Sequence, residues 1–370
     1  MQQMRYIHQL DNWPNFHWEQ ERLIQPLADI HRRQGRLMGR MEALGFALRS
    51  EAVLETLTLD VLKSSEIEGE ILDSDQVRSS IARRLGMEVA GLIPADRNVE
   101  GVVEMMLDAT QSFDKPLSTE RLFGWQAALF PTGRSGMYKI TVGAWRTSDN
   151  GPMQVVSGPM GREHVHFEAP EAEVLASEMD RFLEWFNAKL DIDPIVKAAI
   201  AHLWFVTIHP FDDGNGRIAR AVADMQLARA DNSPQRFYSM SAQIKLERNK
   251  YYDMLENTQK GTLDVTAWLE WFISCLGHAL DATEGTLAGV MQKVLFWEKY
   301  TATTLNMRQR SMLNKLLDGF DGKLTSSKWA KIAKCSSDTA LRDIQDLMDK
   351  NILVKEEGGG RSTSYILNRA

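Results

Sequence analysis

Cysteine is nearly absent from this chain: Cys275 and Cys335 are the two in 370 residues. So sparse a supply, in distant segments, excludes a disulfide framework and a cysteine-built zinc site, and it fits a reduced, cytoplasmic protein. No apolar run reaches the ~20 residues needed to span a bilayer, and no charged-then-apolar stretch opens the sequence. Neither export nor a membrane partner is therefore expected. No repeat of fixed period is visible, and strand-prone runs are scarce outside Tyr138–Phe167 and the last residues. Net charge is a modest −7, so the chain as a whole is no polycation built to coat nucleic acid.

What is present is helical periodicity over most of a length that suits two or three domains. The expected fold is mainly α. Four regions are expected: 1–112, helical, with Asp29–Leu48 and Glu51–Lys63 its clearest helices; a core, 113–278; a connecting helix within 279–305; and a tail, 306–370.

The densest chemistry lies in the run His209-Pro210-Phe211-Asp212-Asp213-Gly214-Asn215-Gly216-Arg217-Ile218-Ala219-Arg220. Before it, Pro194–Ile208 is almost wholly apolar, which predicts a helix buried on most sides. Pro210 disfavours helical geometry at the preceding residue, so that helix should stop near His209 and hold its imidazole in place. Apolar spacing resumes after Gly216, so Gly214-Asn215-Gly216 opens a second helix. Free N–H groups at such a start attract anions, phosphate above all. Arg217 and Arg220 share a helical face and suit bidentate phosphate contacts. Asp213 is a hard oxygen ligand suited to Mg²⁺ beside phosphates, and His209 is left as a base.

This run resembles the Fic family pattern His-Pro-Phe-x-Asp/Glu-Gly-Asn-Gly-Arg-x-x-Arg at every specified position. The resemblance implies a Fic-type helical core that transfers AMP from ATP to a hydroxyl side chain of a target protein, with Mg²⁺ or Mn²⁺ as cofactor. It implies that His209 takes the hydroxyl proton and Asp213 binds the metal. Gly214, Asn215 and Gly216 would cradle the α- and β-phosphates, Arg217 would support them, Arg220 would grip the γ-phosphate, and Phe211 would be a buried anchor. Upstream, Ser64-Ser65-Glu66-Ile67-Glu68-Gly69 is similar to the family's inhibitory pattern Ser/Thr-x-x-x-Glu-Gly/Asn, which implies that Glu68 pairs with Arg220 and displaces the γ-phosphate. From the residues alone, Glu66, Glu68 and Glu70 are equivalent candidates, and Gly69 also suits a helix C-terminus; only the pattern selects Glu68.

Further segments carry weaker signals. Short β-prone runs around Asn150-Gly151-Pro152 and Ser157-Gly158-Pro159 predict a hairpin. In the family a hairpin flap covers the site and pairs with the target's backbone; Val155, Val156, Ser157 and Gly158 are the candidate stretch here. His164 and His166 alternate along a strand, but no cysteine or acidic spacing typical of zinc accompanies them, so they are expected to be structural or at the surface. By the same resemblance Tyr252 and Asn257 are candidates for lining the adenine pocket.

In the tail, predicted helices Arg308–Leu317, Ser326–Lys334 and Ser337–Lys350 precede two strands around Gly358-Gly359-Gly360. That order resembles a winged helix-turn-helix. Residues 306–370 carry a balance of +4 against −11 for the rest, which suits DNA contact through Lys331, Lys334, Arg342 and Arg361, although Asp338, Asp343 and Asp346 dilute the third helix. Two classes of function follow: an autoinhibited AMP-transferring enzyme, also able to remove AMP, or a transcription regulator that senses ATP. An intact His209 favours the enzyme, because sensing needs no base. Family analogy adds a homodimer.

Overall fold

The computed structural model describes residues 6–87, 91–159, 162, 164–320, 322–356 and 363–368. Helices dominate. In the N-terminal region α1 (Gln20–Ala43) and α2 (Phe46–Ile67) are separate, and the expected helix to Leu48 is broken at Leu44 and Gly45. Both of those residues are extended, and a glycine stabilises helix too little to carry it across such a junction. Helices α3 (Ser74–Arg84) and α4 (Arg97–Gln111) follow, each capped by an aspartate that accepts from the third residue on, Asp73 from Gln76 N and Asp96 from Val99 N.

The core begins with α5 (Thr119–Leu129) and a two-residue ladder, β1 (Arg134–Ser135) on β2 (Tyr138–Lys139). The β-prone run Gly143–Arg146 forms no strand. Gly143 takes φ +68° and gives its N–H to the Gln126 side chain at 2.8 Å, which turns the chain instead. The expected hairpin is present as β3 (Gln154–Ser157) antiparallel to β4 (His164–Glu168), with a bulge between Val155 and Val156. Next come α6 (Leu175–Asn187), α7 (Pro194–Ile208), α8 (Asn215–Asp231), α9 (Met240–Leu246) and α10 (Arg248–Gln259). Helix α7 is buried on all sides, as its composition requires, and packs along α8.

Helix α11 (Thr266–Lys299) corrects the expectation of a separate connecting helix. It runs unbroken from the core through residues 279–299, because no proline interrupts its 34 residues. One apolar core joins the N-terminal region to the rest: α1 lies on α11, and α2 on α9.

Residues beyond α11 have their own apolar cluster around Trp329. Helices α12 (Met307–Leu317), α13 (Ser326–Ile332) and α14 (Ser337–Asp349) precede the antiparallel pair β5 (Leu353–Lys355) and β6 (Tyr365–Leu367), the order expected from sequence. Ser336 caps α14 by accepting from Thr339 N at 3.2 Å. Asp343 is buried and bonds Asn306 and Arg308 rather than facing outward. Lys331, Lys334 and Arg342 are exposed. Arg361 and Gly358–Gly360 lie outside the described residues.

Candidate active site

Helix α7 ends where proline chemistry said it would. His209 is its C-terminal cap, left-handed at φ 52° and ψ 58°. Its Nδ1 lies 3.2 Å from the Val206 carbonyl. A carbonyl oxygen only accepts, so Nδ1 carries the proton and Nε2 presents a bare lone pair. Buried Arg146, which sequence reasoning passed over, holds this turn: its Nε donates to the His209 carbonyl at 2.8 Å and its backbone N–H to the Pro210 carbonyl at 2.9 Å. Burial pushes the His209 pKa down to about 4, and Arg146 adds to the effect; the Val206 carbonyl, Glu68 and Asp213 oppose it only in part. The imidazole is therefore neutral across the physiological range.

The loop after it is closed from inside. Asn215 is buried and its side chain accepts from Phe211 N at 3.0 Å while donating to Phe211 O at 2.8 Å. The Asn215 amide therefore shapes the loop, which leaves the backbone N–H groups of the α8 start as its means of meeting an anion. Phe211 is fully buried, 5.1 Å from the Trp145 ring. Gly214 has φ +89°, and a Cβ there would stand 3.0 Å from the Phe130 ring, so only glycine fits. Asp212 turns away to accept Thr141 N at 2.8 Å. Asp213 faces the site, accepting from Gly214 N at 2.6 Å and from the Ser135 hydroxyl. Ser135 is a second hard oxygen that no pattern in the sequence pointed to.

Both arginines are already occupied by carboxylates. Arg220, 2 % exposed, pairs with Glu68 at 2.8 Å and donates to Ser64 Oγ at 3.0 Å and to Ser64 O at 2.8 Å. Arg217 pairs with Glu70 at 2.6 Å and lies over the Phe130 ring at 5.2 Å. Glu66 is turned away onto Lys63. The three glutamates that sequence left equivalent are thus separated. One buried donor on each arginine, Arg217 Nε and Arg220 Nη1, still has no partner. The Glu68 carboxylate sits against the first turn of α8: a Cβ added at Gly216 would come within 2.3 Å of Glu68 Oε1. It therefore occupies space beside the helix start that suits an anion.

The geometry of Glu68 and Glu70 comes from how α2 ends. Glu70 N bonds Ser65 O at 3.0 Å and Gly69 N bonds Glu66 O at 3.2 Å, the two hydrogen bonds of a Schellman stop, with Gly69 left-handed at φ +86°. Gly69 is both the helix stop and the glycine of the inhibitory pattern. Lys245 and Arg248 hold the exposed carbonyls, Nζ on Glu66 O at 2.8 Å and Nε on Ile67 O at 3.0 Å. Gly69→Ala is expected to cost about 1 kcal/mol through left-handed strain, lowering the thermal midpoint, whereas Gly69→Asn should retain most of the stability; thermal denaturation of the two variants checks this.

The flap candidates lie on one ladder. Among the described residues β3 pairs only with β4, so its outer edge is open. Val155 packs with Phe167 and Tyr6, Val156 is exposed, the Ser157 hydroxyl contacts His166 Nε2 at 2.6 Å, and Gly158 ends the strand at φ +103°. Tyr252 is half-buried on α10, its hydroxyl 3.5 Å from Ile67 O and its ring beneath Arg248. Burial and then Glu68 raise its phenol pKa, which places it beside the carboxylate pair. Asn257 is exposed. Five residues on, it points about 140° around the helix from Tyr252, so the structure does not bring the two together.

Residues 116–227 match the Fic/DOC family, and residues 6–87 match a domain of unknown function, DUF4172. Protein adenylyltransferase Fic of Culex quinquefasciatus is 36% identical over 105 residues, which are 28% of this chain and 19% of that protein. The Drosophila yakuba protein of the same name is 36% identical over 109 residues, 29% of this chain and 20% of its own length. The chain thus matches about a fifth of the length of these relatives. In fold, a Fic family protein from Desulfovibrio desulfuricans G20 superposes with a TM-score of 0.52 at 19% identity, covering 93% of this chain and 96% of that one. No helix among the described residues is long and apolar enough to cross a membrane.

Proposed function

Since residues 116–227 of this chain are a Fic/DOC-family domain, we propose that the protein transfers AMP from ATP to a hydroxyl side chain of a target protein, itself included, and that it is held back by its own N-terminal region. In this reaction the hydroxyl oxygen forms a bond to the α-phosphorus, the bond to the pyrophosphate oxygen breaks, and His209 Nε2 takes the hydroxyl proton. The backbone at Gly214–Gly216 meets the phosphates, and Arg217 and Arg220 stabilise their charge. Asp213 and Ser135 form a hard-oxygen donor set beside that loop, which fits Mg²⁺ or Mn²⁺; the ion, when bound, neutralises phosphate charge. In this reading Tyr252 lines the adenine pocket, and the open edge of β3 pairs with the target's backbone.

The observation that carries the autoinhibition is the Glu68 carboxylate on Arg220, against Gly216. A guanidinium bonded to a carboxylate is not free for a γ-phosphate. Glu70 on Arg217 doubles the block. Swung toward the α-phosphorus, Glu68 would orient a water for the reverse removal of AMP. The test is incubation with ATP labelled at the α-phosphate and a divalent ion: label on protein is expected, strongest with Glu68→Gly, and no label on any protein with that variant would overturn the proposal.

The pH dependence follows from His209. With its pKa lowered to about 4, the base stays unprotonated far below the usual imidazole range of about 6.5. The acid limb of the rate profile for Glu68→Gly is expected near pH 4 to 5, and a limb at 6.5 would contradict it. Stability carries the same sign. His8, His202 and His209 all have folded pKa values below the unfolded one, at about 4, 3 and 4. Their contribution is complete above about pH 6.5 and is lost as pH falls toward those values, because the unfolded chain protonates first.

We read the C-terminal unit as a winged helix-turn-helix that selects a partner or a location. With Asp343 turned inward, Lys331, Lys334 and Arg342 are exposed beside the likewise exposed Asp338 and Asp349, and the three cations are the candidate contacts to an anionic surface. Salt-dependent retardation of duplex DNA decides between nucleic acid and protein as that partner.

A further inference from the structure

Outside the nucleotide site, three metal-ligating side chains meet where the flap hairpin touches α10. His164 and His166 project from the same face of β4, and Glu256 rises from α10. Their ligand atoms all lie within 4.8 Å of one another. His166 Nδ1 is 2.6 Å from Glu256 Oε2, and His164 Nε2 is 3.8 Å from Glu256 Oε1. The two imidazole rings stand edge to face, 4.6 Å apart. Such donors around a metal at ~2.0–2.2 Å would be about 3.4 Å apart, so the outer histidine needs to close by up to about 1.4 Å and His166 Nδ1 and Glu256 Oε2 to part by about 0.8 Å. His164 is exposed on its strand and free to do so.

The Ser157 hydroxyl lies 2.6 Å from His166 Nε2. As it stands, Nδ1–H donates to the Glu256 carboxylate and Nε2 accepts from the Ser157 hydroxyl; an ion that displaced the Nδ1 proton would leave Nε2–H to donate to that hydroxyl. An outer hydrogen bond of this kind is how metal-binding histidines are oriented. Glu256 turns both carboxylate oxygens to this cluster, Oε2 to His166 and Oε1 to His164. Lys260 pairs with Oε1 at 2.5 Å, so an ion would take Oε2 in place of its bond from His166 Nδ1.

We propose that His164, His166 and Glu256 form a binding site for a divalent transition ion of the Zn²⁺ class, which clamps the β3–β4 hairpin to α10. Two imidazoles and one carboxylate select such an ion over Mg²⁺, which prefers an all-oxygen shell. Three protein ligands leave a fourth position to water. Because Glu256 is one helical turn beyond Tyr252, the ion ties the open edge of β3 to the wall of the nucleotide site. The site stands apart from His209 and Asp213 and does not depend on the proposed activity.

Chelator-treated full-length protein titrated with Zn²⁺, and with Co²⁺ for its visible absorption, tests this. One equivalent is expected to bind, with the intense absorption of a low-coordinate Co²⁺ site. His164→Ala and Glu256→Gln, each at a partly or fully exposed position, should weaken binding at least tenfold, while Asp213→Ala leaves it unchanged. Hydrogen exchange at residues 154–157 and 164–168 should slow when Zn²⁺ is added. Absence of saturable binding, or equal binding by the variants, would overturn the proposal and leave His166 and Glu256 as a charge pair. Saturable binding without slowed exchange would overturn the clamp.

Discussion

Glu68→Gly is expected to raise AMP transfer from ATP by about ten- to a hundredfold. A hydrogen bond to a charged group is worth about 1.5–3 kcal/mol, and every 1.4 kcal/mol is tenfold. That is the advantage the γ-phosphate must overcome to win Arg220 from Glu68. The same substitution should lower stability without ATP, because Arg220 is 2 % exposed and its charge loses its counterion. Breaking a fully buried pair costs about 3–5 kcal/mol. Here the glutamate side chain is 33% exposed and Ser64 still accepts twice, so the loss should be well below that range. ATP should then raise the thermal midpoint more in the variant than in the parent, since phosphate replaces the missing carboxylate. Glu70→Gln should act in the same direction but only severalfold, because the amide oxygen can still accept from Arg217 and only the charge is lost. Label transfer and thermal shifts measured together check all of this. A Glu68→Gly variant no faster than the parent, with Glu70→Gln faster, would reassign the block to Arg217.

His209→Ala is expected to lower transfer by about 10²- to 10⁴-fold, the usual share of a general base. The loss should appear in the turnover rate, with the ATP-induced thermal shift retained. Arg217, Arg220 and the α8 start are the proposed phosphate contacts, and none bonds the imidazole side chain. Measured on the Glu68→Gly background, the rate drop is not masked by autoinhibition. Transfer that survives the substitution would remove His209 from the role of base. Loss of the thermal shift along with the rate would instead point to collapse of the turn that Arg146 holds.

Much of this site was legible in the residues. The buried α7, its stop at Pro210, the restart of helix at Gly214–Gly216 and the two arginines on one face all follow from local rules: period, proline sterics and glycine freedom. The pattern at Ser64–Gly69 selected Glu68, and the geometry pairs it with Arg220, 152 positions on. Other features were illegible because they are set by distant packing. Arg146 reads as a surface cation in a strand-prone run, yet it is buried against two carbonyls of the His209 turn. Ser135 carries no signal at all, since its meaning depends on the β1–β2 turn standing over Asp213. That the Asn215 side chain would be taken up by both backbone groups of Phe211 is likewise not written in the residues.

The split runs along range of interaction. By itself the sequence determined that most of the chain is helical, where α7 must end, that a glycine-flanked turn follows it, and which residue types stand ready for base and charge chemistry. Those properties depend on neighbours within a few residues. Only the tertiary structure decided which glutamate meets which arginine, because Glu66, Glu68 and Glu70 share a composition and differ in direction alone. The Schellman stop at Gly69 and the cations on α9 and α10 set that direction. It likewise brought Glu256 to His164 and His166, residues that sequence spacing had set aside for want of an acidic partner.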